Sequence, residues 1–398
     1  MSKPTHAELA RVVRDHAGQL AASLVHLVGD FSAAEDLVQD AIEAALTHWP
    51  VEGIPERPAA WMYTVARRRG LDQIRRDQRH RRKLALVAWP VEPPPDDRLR
   101  LIFTCCHPAL PRAAQVALTL RVVCGLSTAQ IARAFLVPES TVGQRITRAK
   151  RKISDAAIPY RIPSEDDLGS RLIEVLAVIY LLFNEGYLST GGDRAQSRDL
   201  ADDAEFLAAL LHQLMPTEPE VAGLLALIRL HRARASARFD RDNEIVQLQH
   251  QDRALWDHRS IAGAGRLVAQ AAARKRPGPY QLQAAIVACH AEAGRWEETD
   301  WTQIAVLYDM LLRLAPSPVT RLHRAIALRY VSGPSIALTE VDALAGELND
   351  YHLFHATRAE LLRDLGDTTQ ARTADERALA LATNPAERSL LRHRLNWA

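Results

Sequence analysis

Apolar residues recur along this chain at intervals of three and four, and they almost never alternate with polar residues. Spacing of three and four places side chains on one side of an α-helix, whereas alternation would indicate β-strands. The pattern therefore predicts an all-α protein. Two proline-rich segments, at residues 89–97 and 158–167, interrupt the helical pattern and divide the chain into three blocks.

The middle block contains two consecutive helical patterns at residues 125–153. Ser127 and Gln130 have the spacing of a capping box, which predicts the start of the first helix. Pro138 opens the second, whose apolar side is formed by Val142, Ile146, Ala149 and Ile153. Its opposite side carries Ser140, Thr141, Gln144, Arg145, Arg148 and Arg151. Such groups bond base edges and phosphates from a helix in the major groove, so we expect a helix-turn-helix that recognises duplex DNA. A surface helix with a solvated basic face is the alternative.

In the first block, residues 33–48 predict a helix with an apolar stripe and an acidic side. The acidic side consists of Asp36, Gln39, Asp40 and Glu43. Spacings of three, one and three place these residues together on one face. By itself this acidic strip is typical of a solvated face, whereas opposite a basic partner it would be an interface.

Residues 58–83 predict a further helix, in which aromatic residues precede arginines. Nine basic residues lie between positions 67 and 83, against two aspartates. The nine include Arg67, Arg68, Arg75 and Arg76. Such a helix suits a phosphate backbone. Trp61, with Trp49 upstream, places aromatic rings beside the basic surface, as in single-stranded DNA binding; a core position for Trp61 is the alternative.

Charge is divided unevenly between the two parts of the chain. Residues 1–160 hold 23 Lys and Arg against 16 Asp and Glu, a net of +7, and residues 161–398 hold 27 against 32, a net of −5. The basic part contains the helix-turn-helix, which favours a nucleic-acid-binding front end. Four cysteines without CxxC spacing, a charged N-terminus and no apolar run long enough for a bilayer indicate a cytoplasmic protein that does not enter a membrane.

Two groups of residues suggest other chemistry, and each has a simpler explanation. Cys105, Cys106 and His107 suggest a metal or redox site, but adjacent cysteines rarely bind one ion, so we expect buried packing. Glu185 suggests a catalytic carboxylate, but we expect a helix end capped by Gly186. Without a phosphate loop, nucleophile elbow or HExxH motif, we predict no enzyme activity, no catalytic residues, no cofactor and no metal.

Three motifs, in this order, resemble bacterial sigma factors of the extracytoplasmic-function class. They are AEDLVQDAIEAA at 34–45, WMYTVARRRGLDQIRR at 61–76, and the helix-turn-helix, and the resemblance covers residues 5–155. Two later stretches, LIFTCCHPALP at 101–111 and VIYLLFNEGY at 178–187, resemble the subgroup of long sigma factors with a C-terminal helical extension.

The resemblance implies four parts. Residues 1–86 would be sigma region two, 87–96 a linker, 97–157 sigma region four, and 160–398 the extension. Region two would bind the β′ clamp helices of the RNA polymerase core through Asp36, Gln39, Asp40 and Glu43. It would also bind the −10 promoter element through Trp49, Trp61, Arg67, Arg68, Arg75 and Arg76, with an extruded base captured near residues 49–57.

Region four would bind the −35 element and the β flap. Its −35 contacts would be made by Ser140, Thr141, Gln144, Arg145 and Arg148. The chain would thus direct promoter-specific transcription initiation. A free-standing helix-turn-helix regulator with a ligand- or partner-sensing helical domain is the main alternative, and an enzyme fused to a sigma module is a weaker one.

The extension shows weak internal self-similarity. Alanine-rich segments at 284–294, 324–333 and 356–366 each end in a glycine, and these glycines are 39 and 33 residues apart. That spacing is close to the tetratricopeptide period of about 34 residues, so we expect a tetratricopeptide-like stack, with a plain helical bundle as the alternative. Its size and repeat character suggest a regulatory domain that binds a regulatory protein.

Overall fold

The computed structural model describes residues 3–28, 30–78, 98–135, 137–188, 194–241 and 244–396. These residues form nineteen α-helices and four short 3-10 turns, and no β-strand occurs among them. The chain forms two compact units: Met1–Tyr187 with Ala195–Leu207, and Leu188–Arg194 with Ala208–Ala398. The prediction of an all-α protein is confirmed.

The first unit begins with three helices that pack on one another: α1 (Lys3–Val28), α2 (Phe31–Glu52) and α3 (Pro58–Gln78). Asp30 starts α2, because its carboxylate accepts a hydrogen bond from the backbone N–H of Ala33 at 2.7 Å. Most of the apolar stripe of α2 is buried, at Leu37, Val38, Ala41 and Ala45, whereas Leu46, expected in the same stripe, is 37% exposed. The helix is longer than expected and includes Pro50 in its last turn.

Four helices follow: α4 (Arg98–Cys105), α5 (Arg112–Val122), α6 (Thr128–Ala134) and α7 (Glu139–Asp155). The capping box is present, since the backbone N–H of Gln130 donates to Ser127 Oγ at 3.2 Å and that of Ser127 to Gln130 Oε1 at 2.7 Å. The α7 stripe is buried at Val142, Ile146, Ala149 and Ile153. Since α6 and α7 both pack on α5, these helices form the predicted helix-turn-helix.

Two long helices continue the chain, α8 (Glu165–Leu188) and α9 (Arg194–Leu214). Arg112 of α5 forms an ion pair of 2.8 Å with Glu174 of α8, and Arg171 of α8 donates to the Phe103 carbonyl at 2.6 Å. The helix α8 therefore packs on the helix-turn-helix domain. Our expectation that Gly186 caps this helix is wrong, because α8 continues through it to Leu188.

The second unit contains ten further helices. They are α10 (Pro219–Ala233), α11 (His258–Ala273), α12 (Pro279–Glu292), α13 (Trp301–Leu314), α14 (Pro318–Val331), α15 (Pro334–Asp342), α16 (Ala345–Leu348), α17 (His352–Asp364), α18 (Thr368–Leu381) and α19 (Pro385–Asn396). The three self-similar segments lie in α12, α14 and α17, and each of these helices packs on the next one, α13, α15 and α18. The helical extension is thus confirmed. No helix in the described ranges is long and apolar enough to cross a membrane.

Candidate nucleic-acid and polymerase interfaces

The polar side of α7 faces away from the core of the helix-turn-helix domain. Ser140, Gln144 and Arg148 are exposed, and Thr141 and Arg145 are half-buried. They lie opposite the buried stripe because 3.6 residues make one turn. Hydroxyl, amide and guanidinium groups on one helix face match the donors and acceptors of base edges in the major groove. The five residues predicted to contact the −35 element therefore share one accessible surface.

The acidic strip lies along the accessible side of α2. Asp36 and Glu43 are exposed, and Gln39 and Asp40 are half-buried. Partial burial and the neighbouring carboxylates of Asp40 and Asp30 raise the pKa of Asp36, against a smaller opposite effect of Arg121. Burial is the larger cause of the raised pKa and repulsion among the carboxylates the smaller one, and a basic partner surface would relieve that repulsion. Asp40 forms an ion pair of 3.0 Å with Arg69, but both side chains are nearly half-exposed, so this pair contributes little.

The predicted −10 surface lies on α3 and the end of α2. Arg68 is exposed and Arg67 half-buried, while Arg75 and Arg76 belong to α3 but their side chains lie outside the described residues. The chain segment 79–97, which includes the rest of the basic run and the predicted linker, also lies outside them.

The two tryptophans of this surface differ in exposure. Trp49 is 2% exposed, and Trp61 is half-buried and packs edge-on against it, with ring centroids 5.7 Å apart. A base cannot stack on an indole that is buried in this way, so the prediction that Trp49 contacts DNA directly disagrees with its position. Trp49 instead packs against the ring of Trp61. Trp61 is half-buried, between the core position and the fully exposed position considered for it.

Two exposed apolar side chains follow Trp49 along the chain and were not predicted from the sequence. Val51 is 85% exposed and Ile54 is 39% exposed, at the end of α2 and in the following loop. Apolar residues in a short proline-flanked segment, WPVEGIP, were the available signal. They lie within the segment 49–57, in which the resemblance implies that an extruded base is captured.

A second feature that sequence analysis missed is an ionic cluster between α2 and the helix-turn-helix domain. Glu35 is only 4% exposed; its Oε1 accepts a hydrogen bond from Arg121 Nε at 2.7 Å, and its Oε2 pairs with Lys150 of α7. The sequence signal for this buried charge was that Glu35 lies on the apolar side of α2, three residues before Val38. Its partners lie 86 and 115 positions along the chain, so spacing could not identify them.

The cysteine pair is buried, as expected for packing. Burial raises the pKa of both thiols, that of Cys106 to about 11, so both stay protonated at neutral pH. Within the described parts of the chain, no three His, Cys, Asp or Glu side chains are grouped so as to hold a metal ion.

Three sequence families match successive parts of the chain. Sigma-70 region 2 matches residues 12–80, sigma-70 region 4 matches residues 100–153, and a family of unknown function, DUF6596, matches residues 171–272. The first match runs from within α1 to the end of α3, and the second from within α4 through most of α7. The third begins in α8 and ends in α11. No solved structure matches the chain.

Among curated proteins, an uncharacterized protein of Rhizobium meliloti is 44% identical over 95% of this chain and 93% of its own length. The ECF RNA polymerase sigma factor SigL of Mycobacterium tuberculosis is 33% identical over 37% of this chain and 88% of its own length. The probable ECF RNA polymerase sigma factor SigI of the same organism is 31% identical over 38% of this chain and 57% of its own length.

Proposed function

Because the chain belongs to the ECF family of RNA polymerase sigma factors, we propose that it directs the polymerase core to promoters with separate −10 and −35 elements. The acidic strip of α2 binds the β′ clamp helices. The helix α3 and the segment 49–57 bind and open the −10 DNA, and α7 binds the −35 element while its domain contacts the β flap. It acts in the cytoplasm, where the polymerase acts.

One observation above all supports this proposal. The chain carries two different accessible surfaces, one acidic on α2 and one rich in DNA-binding groups on α7, in the order of sigma regions two and four. A free-standing helix-turn-helix regulator needs no acidic surface of this kind and usually binds a palindrome as a dimer. We therefore favour the sigma factor over that alternative.

Runoff transcription with purified core polymerase tests the proposal. Full-length protein should yield transcripts from promoters selected from genomic fragments, and Asp36→Arg with Asp40→Arg should abolish both transcription and core binding in pull-downs. Glu292→Arg with Glu297→Arg, which reverses two exposed carboxylates of the second unit, is the matched control. Core binding that survives the α2 change would contradict the assignment of the acidic strip.

We further propose that the second unit regulates promoter opening or binds a regulatory protein. Its paired helices support this role, because stacked helical pairs expose extended binding surfaces. In the runoff assay, a chain that ends after Leu214 should change promoter choice or rate. Ending the chain near residue 160 would be less informative, since it removes α8 from the helix-turn-helix domain on which α8 packs. If the chain that ends after Leu214 gave the same promoter choice and the same transcription rate as the full-length protein, the regulatory role would be contradicted.

A further inference from the structure

Two arginines of the second unit lie against the ring of one buried tryptophan. Trp256 is 4% exposed, and the guanidinium carbons of Arg253 and Arg234 lie 4.6 and 5.9 Å from the centre of its ring. Arg234 follows α10 and Arg253 begins a 3-10 turn, so the two come from separate parts of the chain. Each is half-buried, which leaves this place within reach of solvent. Arg234, Arg253 and Trp256, with His290 of α12, are called the arginine cluster below.

The arginine cluster contains hydrogen-bond donors that have no acceptor. Arg253 Nη2, Arg234 Nε and Trp256 Nε1 are buried and have no hydrogen-bond partner among the described residues. The ring nitrogen Nδ1 of His290 is buried and unpartnered in the same way. Roughly nine in ten buried polar groups in proteins have a partner. Several unpartnered donors at one place therefore indicate an acceptor that the polypeptide does not supply.

The charge of the arginine cluster is positive. Within the described parts of the chain, neither Arg234 nor Arg253 forms an ion pair with a carboxylate. The carboxylates whose charge reaches Arg253 are those of Glu297 and Glu298, and both are exposed to water, which screens them. Burial and the charges of Arg234 and Arg253 lower the pKa of His290 to about 4, so this ring is neutral at neutral pH. A water molecule would satisfy the donors only, whereas an anion would also neutralise the charge.

Helix capping explains only part of this arrangement. Arg253 Nη1 donates to the carbonyls of His290 and Ala293 at the end of α12, at 2.7 and 2.5 Å, as basic side chains do at helix C-termini. Those bonds leave Arg253 Nη2 without a partner. Arg234 Nη2 donates to His231 Nδ1 at 3.1 Å, which leaves Arg234 Nε. Each guanidinium is thus anchored through one nitrogen and keeps another for a ligand, and anchored guanidinium groups suit phosphate and carboxylate oxygens.

From these two anchored guanidinium groups beside Trp256, we propose that the arginine cluster binds a phosphate group, either of free phosphate or of a small phosphorylated metabolite. Arg253 Nη2 and Arg234 Nε donate to its oxygens. A tetrahedral phosphate offers acceptors in several directions, which suits arginines from separate parts of the chain better than the planar pair of oxygens of a carboxylate. This inference concerns the second unit alone and does not depend on the proposed sigma-factor function.

Isothermal titration calorimetry of the full-length protein tests the site, with inorganic phosphate and adenosine monophosphate as the two probes at constant chloride. Wild-type protein should bind at least one probe at one saturable site. Arg234→Gln and Arg253→Gln should each weaken that binding by about tenfold or more, because each removes a charge-assisted hydrogen bond. Arg274→Gln removes an exposed arginine of the same unit and is the matched control, which should bind as the wild type does.

The two probes also identify the source of the phosphate group. If inorganic phosphate binds as tightly as adenosine monophosphate, the ligand is the free ion. If adenosine monophosphate binds at least about tenfold more tightly, the rest of a phosphorylated metabolite contributes contacts of its own. Either result supports the phosphate site.

Thermal unfolding, followed by circular dichroism, separates a loss of binding from a loss of folding. Arg253→Gln also removes hydrogen bonds to the end of α12, whereas the Arg234 side chain donates to a histidine ring and not to helix carbonyls, so Arg234→Gln is the variant expected to stay folded. The probe that binds should raise the unfolding temperature of wild type and Arg274→Gln, but not that of Arg234→Gln.

Three results would overturn the phosphate site. They are no saturable binding of either probe to wild-type protein, equal binding by wild type and folded Arg234→Gln, and a loss of binding in Arg274→Gln as large as in Arg234→Gln. None of them bears on the sigma-factor function, because core binding and runoff transcription are measured separately.

Discussion

Glu35 and Asp36 are adjacent carboxylates of α2 with opposite surroundings. Asp36 is exposed, and the spacing of the acidic strip predicts that position from local sequence. Glu35 is buried, and its partners Arg121 and Lys150 lie far along the chain. Helical periodicity shows that Glu35 is on the apolar side, but only the packing of two separate helical groups shows which cations neutralise it. The spacing of residues along a helix thus predicts which side chains are exposed better than it predicts which residues form their ion pairs.

The arginines of α7 allow a prediction about promoter specificity. Arg145→Ala and Arg148→Ala should each weaken discrimination at one base pair of the −35 element, because a bidentate arginine–guanine contact is worth roughly 1–3 kcal/mol. Runoff transcription on a promoter and its single-base −35 variants measures the loss, which should be about 5- to 150-fold per contact. Arg313→Ala, at an exposed position of α13, is the control. Unchanged discrimination in both variants would remove these arginines from the −35 contacts.

The sequence predicts a helix boundary well where neighbouring residues cap the helix, and poorly where contacts with more distant side chains determine where the helix ends. Both hydrogen bonds of the capping box at Ser127 and Gln130 are present, because the two residues satisfy each other's backbone N–H groups. At Gly186 the sequence suggests an end, but Tyr187 stacks on Phe183 with ring centroids 5.0 Å apart. That contact one turn back continues α8 past the glycine, at the cost of glycine's poor helix propensity.

The turn between α5 and α6 allows a prediction about stability. Gly125 has φ of +74° and its absent Cβ would lie 2.8 Å from Val13, so Gly125→Ala should lower the free energy of unfolding by about 1–3 kcal/mol. Gly143→Ala is the matched control, since Gly143 lies inside α7 with no atom near its absent Cβ, and alanine there should stabilise by roughly 0.5–1 kcal/mol. Urea unfolding followed by circular dichroism distinguishes the two. If both substitutions changed the free energy of unfolding equally, the backbone at Gly125 would not require a glycine.

At the scale of the whole molecule, the proline-rich segment at 158–167 marks a real break between helices, since α7 ends at Asp155 and α8 begins at Glu165. The contacts nevertheless group α8 with the helix-turn-helix domain, in the first compact unit. The apolar stripe of α8 predicts burial, but spacing does not show against which helices that stripe packs. The domain boundary at residue 160, which rests on this proline-containing segment, stays a prediction.

The second unit contains a group of basic side chains around two half-buried histidines, His231 and His290. Arg253 donates to the carbonyls of His290 and Ala293 at the end of α12, at 2.7 and 2.5 Å, and its guanidinium lies 4.6 Å from the centre of the Trp256 ring. Burial, helped by the charges of Arg234 and Arg253, lowers the pKa of His290 to about 4. Burial with Arg234 and Arg238 lowers that of His231 to about 3.

These lowered pKa values predict that acid destabilises the second unit. The pKa of a histidine in an unfolded chain is about 6.5. Below that pH the unfolded chain binds protons that the folded chain does not bind. The free energy of unfolding therefore falls as the pH drops from about 6.5 towards 4. The loss at pH 5 should be about 1–2 kcal/mol for His290 alone. Urea unfolding followed by tryptophan fluorescence at pH 7.5, 6 and 5 measures it. His290→Asn should reduce the pH dependence by the part due to His290 and leave the part due to His231, whereas His393→Asn, at an exposed position of α19, should leave it unchanged. A pH dependence as steep in His290→Asn as in the wild type would contradict the contribution of His290 and assign the acid sensitivity to other groups, among them His231.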